Sequence, residues 1–230
     1  MTLKTFYTAI GRLERRSDET SSYPIVHLGG REYMLDLQEM AVWTSLNWRI
    51  TRRDEIGTLY HDLCRDSGYE AERSLDACID RLVTRGLLVC GTGETEYDAL
   101  YDLISALYII PATGTLWLRI LTFLKLVLLD GVSFTAARRL FAKDKRNARE
   151  AQIMRLAGQA LLSTAEIIKC VDKGVFSLPN EQSILDVLYS DRDTTSDNIA
   201  CTVKALPGTQ DVTLAIANLY LRRQIIFERV

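Results

Sequence analysis

Two short segments near the end of the chain repeat two near its beginning, in the same order. TRRDEI at 51–56 matches TTSDNI at 194–199, with threonine, aspartate and isoleucine at equal spacing. LVTRGLLV at 82–89 matches YLRRQIIF at 220–227. The first of each pair carries helix-start chemistry, a hydroxyl followed by an early acidic side chain that suits the helix dipole. The second reads as a helix that turns into a strand. Repeated punctuation of this kind constrains the fold to two copies of one helical unit. At 230 residues the chain has room for two small cores.

The first copy is the fuller one. YPIVHLGGREYMLDL predicts two short strands around Gly29-Gly30, a turn-compatible pair. Leu37, Met40, Ala41, Val42, Leu46 and Trp48 then recur at helical spacing. A second helix starts at Thr51, whose hydroxyl is expected to cap it, and carries Ile56, Leu59, Tyr60 and Leu63. A third is predicted over 70–84, ending at Gly86, a residue suited to the left-handed position past a helix. Leu87 to Cys90 reads as a strand and Gly91-Thr92-Gly93 as a turn that a second wing strand could follow.

Beyond it the pattern predicts helices over 97–110, 115–129 and 148–171, the last interrupted near Ser163, with Ser133 capping a basic helix between. Residues 174–179 read as a linker, and Thr209 as the cap of the last helix. The expected organisation is an arm over 1–22, a first unit over 23–96, a helical joining region over 97–178 and a second, truncated unit over 179–230. The fold class is mainly α with small β-wings.

Hairpin, three helices and wing, in that order, resemble the winged helix-turn-helix of transcription regulators. The resemblance implies tandem winged helix-turn-helix units, a homodimer, double-stranded DNA as partner and a third helix in the major groove. The first unit's third helix suits this poorly, because Glu70, Glu72, Asp76 and Asp80 would face phosphates. The second offers Gln210 and Thr213 early on its third helix, and Arg222 and Arg223 at its end. The strongest basic run is AARRLFAKDKRNARE, with Arg138, Arg139, Lys143, Lys145, Arg146 and Arg149.

A second resemblance covers residues 23–89. The strand–turn–strand ending Tyr33-Met34-Leu35-Asp36, then Ala41-Val42-Trp43, then Leu82-x-x-Arg85-Gly86-Leu87, is similar to PqqD-like domains that recognise precursor peptides. That likeness implies a bound peptide added as a strand between the hairpin, near 26–28, and the third helix. Asn47-Trp48 departs from the Asp/Asn-Gly expected there, and a second helix-turn-helix is foreign to those small domains.

Composition narrows the alternatives. A net charge of -2 supplies no global field for nucleic acid, so any such contact must be a local patch. Five cysteines without short spacings point to a reducing, cytoplasmic setting. The apolar stretch 116–129 is too short to span a bilayer and reads as a helix between subunits. No nucleophile, phosphate-loop or zinc-protease motif occurs, so no enzyme and no cofactor is expected. His61, Cys64, Cys78 and Cys90 read as packing residues rather than a metal set.

Overall fold

The N-terminal segment is not an arm. In this computed structural model, which describes residues 3–17, 22–65, 73–112, 146–191 and 193–229, it forms two strands built into two sheets. Strand β1 (Lys4–Ala9) is flanked by Thr51, which bridges to Tyr7, and by β5 (Leu88–Gly93), both antiparallel to it. Strand β2 (Arg12–Ser17) opens a meander with β3 (Ser22–Leu28) and β4 (Arg31–Met34). Gly29 and Gly30, both at positive φ, make the two-residue turn between β3 and β4. Register sets Leu28 and Val26 against Arg31 and Tyr33; Pro24, next on that side, has no N–H to give, and β4 stops at Met34.

Three helices complete the first half. Helix α1 (Leu37–Leu46) starts in a capping box of Asp36 and Glu39. Helix α2 (Arg53–Cys64) follows Thr51, whose hydroxyl donates to Glu55 rather than capping an amide; the Glu55 carboxylate accepts the Arg52 N–H instead. Helix α3 (Leu75–Thr84) is capped by Ser74 and ends with Gly86 at φ 73°. No wing strand follows the 91–93 turn: β5 runs straight through it. Its partner is β1, because a strand already lying alongside leaves no need for a returning one.

Helix α4 (Glu96–Ile104) is shorter than the 97–110 helix expected, since residues 108–111 leave as strand β6 (Tyr108–Pro111). Then come α5 (Ala148–Gln159), β7 (Leu162–Ser163), α6 (Thr164–Asp172), α7 (Glu181–Leu188), α8 (Ile199–Val203), α9 (Thr209–Leu221) and β8 (Ile225–Glu228). The sheet order is β7-β6-β8, again with the earliest strand in the centre. The chain is thus mixed α/β with small antiparallel sheets.

Hydrogen-bond register relates the two halves more closely than the sequence match did. Tyr7 sits between Thr51 and Cys90 as Ile109 sits between Leu162 and Phe227. The Ile10 N–H donates to Leu87 O and the Ala112 N–H to Gln224 O. At the helix ends, Leu87 and Gly86 donate to Leu82 O and Val83 O; Gln224 and Arg223 donate to Leu219 O and Tyr220 O. Gly86 therefore corresponds to Arg223 (φ 58°), one residue from the expected pairing with Gln224. Thr51 corresponds to Leu162, not Thr194, and α5 and α6 take the places of α1 and α2. The expected boundary at 179 cuts through this second set. Val42 and Ile153, Ile56 and Ile167, Ile79 and Ile216, Leu82 and Leu219 are buried at matching positions.

The halves share one continuous core. The buried Tyr220 hydroxyl donates to Ala9 O (2.9 Å), accepts the Trp48 N–H (3.0 Å) and lies 2.8 Å from Thr8 Oγ1. Burial pushes its pKa up to about 12, so it stays a donor. The outer edge of β8 is covered: Phe227 O accepts the Gly11 N–H and Ile225 O the Trp48 indole N–H. An exposed edge would otherwise be a template for unwanted pairing. The segment carrying α7 and α8 is tied to α6 by Lys169, whose ammonium donates to Leu188 O, Asp191 and Thr194.

Candidate binding cleft

Among the described residues one sheet edge of the first half is left open beside a cavity. β3 is paired on both sides, so the stretch near 26–28 is not the edge the resemblance implied; β4 is. In a two-residue hairpin the closing pair, here Leu28 and Arg31, bonds inward, as does Val26 with Tyr33. Glu32 and Met34 therefore turn their main-chain groups outward. The Met34 carbonyl is taken by Arg85 Nη2 (2.7 Å), leaving the Glu32 N–H, the Glu32 carbonyl and the Met34 N–H to offer. The cleft beside them has a volume of about 330 Å³ and is lined by Leu28, Gly29, Arg31, Tyr33, Arg85 and Arg229.

Arg85 fixes the geometry. Its Nη1 donates to Glu39 Oε2 (2.6 Å), and its guanidinium lies 5.9 Å from the centre of the Tyr33 ring. Glu39 is buried and also accepts from Arg81 Nε (2.7 Å) and from the Asp36 N–H that closes the capping box. Burial alone would raise the Asp36 pKa, but the Glu39 N–H and the Arg73 guanidinium hold it below the usual carboxylate range. The end of α3, the start of α1 and the edge of β4 are thus joined through one arginine. The pair recurs in the second half, where Arg222, at the end of α9, donates to the buried Glu150 of the α5 capping box (3.2 Å).

The other edge of the meander is different. β2 exposes Arg12, Glu14, Arg15 and Arg16, charges that blunt strand pairing. Arg16 donates twice to Glu32 across the sheet (2.8 and 3.0 Å), which raises the arginine pKa.

The residues expected to contact DNA fare unequally. Arg138, Arg139, Lys143 and Lys145, and the 116–129 stretch, lie outside the described residues. Thr213 is buried and its hydroxyl donates to Thr209 O, so it cannot reach a base edge; the helical phase put it on the face that packs inward. Thr209 caps no amide and donates to Val203 O. Gln210 is exposed, but α9 as a whole is wedged against α4, α5 and α6 and shows solvent only 210, 211, 214, 218 and 221. Arg222 is engaged by Glu150, and Arg223 lies 5.4 Å over the Trp48 ring. Arg149 donates to Gln152, while Arg146 reaches Gln224 and so brings the end of the basic run to the turn that carries Arg222 and Arg223. On α3, Asp76 and Asp80 are exposed and both paired with Arg53.

Arg31 and Arg229 in the cleft lining and Glu32 on β4 carry no signal in the sequence that marks them out. Glu39 had a legible signal, the Asp36-x-x-Glu39 spacing of a capping box. A larger hollow of about 440 Å³ over Ile50, Leu59 and Leu221 has its carboxylate, Glu55, already used by Thr51 and Arg52. Cys78 is buried with its thiol pKa pushed up to about 11, hence protonated and unreactive; Cys90 is exposed. Among the described residues no group of histidines, cysteines and carboxylates is placed to hold a metal ion, and no helix is long and apolar enough to cross a membrane. Comparison of the chain with protein-family models, with curated proteins and with solved structures gave no match.

Proposed function

We propose that the protein is a peptide-binding module that receives its partner as an added strand on β4. The observation that carries this reading is the outward main chain of Glu32 and Met34 on β4, the strand whose Arg31 and Tyr33 line a cleft together with Arg85 and Gly86 at the end of α3. Three main-chain hydrogen bonds at about 0.5–1.5 kcal/mol each would give only weak binding, so side chains of the peptide must fill the cleft. The cleft is walled by Arg85 and Gly86 at the end of α3 rather than by its solvent face, where Asp76 and Asp80 share Arg53. The scaffold reads as tandem winged helix-turn-helix units in which β1 and β6 stand where a returning wing strand would.

The test is selection of peptides from a random library on the intact chain, followed by Glu32→Pro. Proline removes the outward N–H and sets its ring against an incoming strand while sparing the inward bonds. Selected peptides should bind the variant at least about tenfold more weakly, a loss of about 1.4 kcal/mol. Hydrogen exchange at Arg31–Met34 should slow on binding. Failure to capture any peptide, or capture indifferent to Glu32→Pro, removes the reading.

A second reading, a DNA-binding regulator acting as a homodimer, is favoured by one observation. Arg146, near the end of the basic run, contacts Gln224, next in the chain to Arg222 and Arg223. Duplex DNA should then bind with an affinity that falls steeply with salt. Changing Arg138, Arg139 and Arg146 to glutamate should abolish that binding; unaltered binding by the triple variant would eliminate the patch.

A further inference from the structure

We propose that the partner of this cleft is an acidic peptide segment, read by Arg31 from the first half and Arg229 from the second; the inference rests on the strand-addition reading above. Both arginines line the cleft and both are exposed. Among the described residues neither guanidinium has a carboxylate or carbonyl to bond. Two of the nearby acids are paired with other arginines, and a third is held at the rim of the cleft. Glu32 holds Arg16, Glu39 holds Arg85 and Arg81, and the Glu228 carboxylate accepts the Gly29 N–H (2.7 Å). The described lining therefore carries two unpaired guanidiniums, Arg31 and Arg229, against the one carboxylate of Glu228 at its rim, an excess of positive charge in a chain whose net charge is -2.

Its construction is composite. Gly29, in the β3–β4 turn, receives Glu228 and packs so closely on the Arg229 carbonyl that a Cβ there would lie 3.0 Å from it. That contact sets Arg229 beside the edge where an added strand would run. Guanidinium groups bind carboxylates in a planar, two-bonded geometry, which suits alternate acidic side chains of an extended peptide. Exposed pairs are individually weak, each about 1.5- to 5-fold in affinity, so two of them bias the partner's charge without fixing its whole sequence.

Peptides selected on the intact chain should carry aspartate or glutamate at two positions, with an affinity that weakens as salt rises. The double variant Arg31→Glu, Arg229→Glu should bind them about tenfold or more weakly and should itself select basic peptides. A variant with Arg12→Glu and Arg15→Glu, on the far edge, should bind the original peptides as before. Thermal unfolding of each variant separates loss of binding from loss of fold. Charge-reversed protein that selects the same peptides at unchanged affinity, while Glu32→Pro still abolishes binding, overturns the acidic assignment and leaves strand addition standing. Capture of no peptide, or indifference to Glu32→Pro, overturns both. Binding of a single-stranded oligonucleotide that depends on Arg31 and Arg229, with no acidic bias among peptides, likewise overturns the assignment.

Discussion

Glu39→Ala is expected to destabilise the protein by about 3 kcal/mol, read as a lowered urea midpoint at unchanged slope. The side chain does two things. As the acid of the α1 capping box it accepts the Asp36 N–H, an interaction of about 1 kcal/mol. As a carboxylate only 2% exposed it is matched by Arg81 and Arg85. Removing it leaves those guanidiniums without an anion, but Arg81 is already 58% exposed and returns to water, which holds the cost near the lower end for a broken buried pair. The converse substitutions should differ. Arg85→Met strips the buried carboxylate of its 24%-exposed partner and frees the Met34 carbonyl, so it should cost more than Arg81→Met. Equal costs for the two would mean that the carboxylate is not held chiefly by Arg85.

Gly91→Ala should be at least as damaging, about 3 kcal/mol, with the melting temperature falling by roughly 6–12 °C for a chain of this size. A Cβ at this position would lie 2.2 Å from Leu103 N, 2.4 Å from Leu103 Cα and 2.5 Å from Ala99 O. All three are backbone atoms of α4, so no side chain can swing aside. The helix itself would have to retreat from β5, taking the buried Ala99, Leu103 and Ile104 with it. Gly30→Ala is the contrast, since nothing lies within 4 Å of its Cβ and only the left-handed backbone is strained. Calorimetry that ranks Gly30→Ala as the costlier change would contradict the direct seating of α4 on this strand.

Several elements were legible because their causes are local. The Gly29-Gly30 turn and the stop at Gly86 each depend on residues within about one turn of each other, whereas the stripe expected for α1 is fully buried only at Val42 and Leu46, with Leu37 exposed and Gln38 and Glu39 buried. β1 was not legible. KTFYTA alternates only weakly, and its partner in β5 lies some eighty residues away, joined by no short turn. The 97–110 segment reads as one helix because Leu107 and Ile109 continue the apolar run of Leu103 and Ile104, although Leu107 lies between α4 and β6 and Ile109 packs from β6 itself. The two ends align one residue out of register in sequence because Arg223 adopts the left-handed conformation that glycine would advertise. Thr213 illustrates a different limit. Periodicity gives the faces of α9 but not that neighbours cover all save a narrow stripe.

The sequence by itself determined the hairpin turn at Gly29-Gly30, the stop at Gly86 and the helix-to-strand turn that recurs near the end of the chain, since these are interactions among near neighbours. Thr51 and Thr209, by contrast, bond partners other than the amides they were expected to cap. Only the tertiary structure decided that the earliest strand of each half is flanked on both sides, and that among the described residues β8 is covered while β4 is open and Arg85 is engaged while Arg31 and Arg229 lack partners. Strand pairing and charge neutralisation join residues tens to hundreds of positions apart. Whether an edge or a guanidinium is available depends on what distant chain folds against it, and no local pattern carries that information.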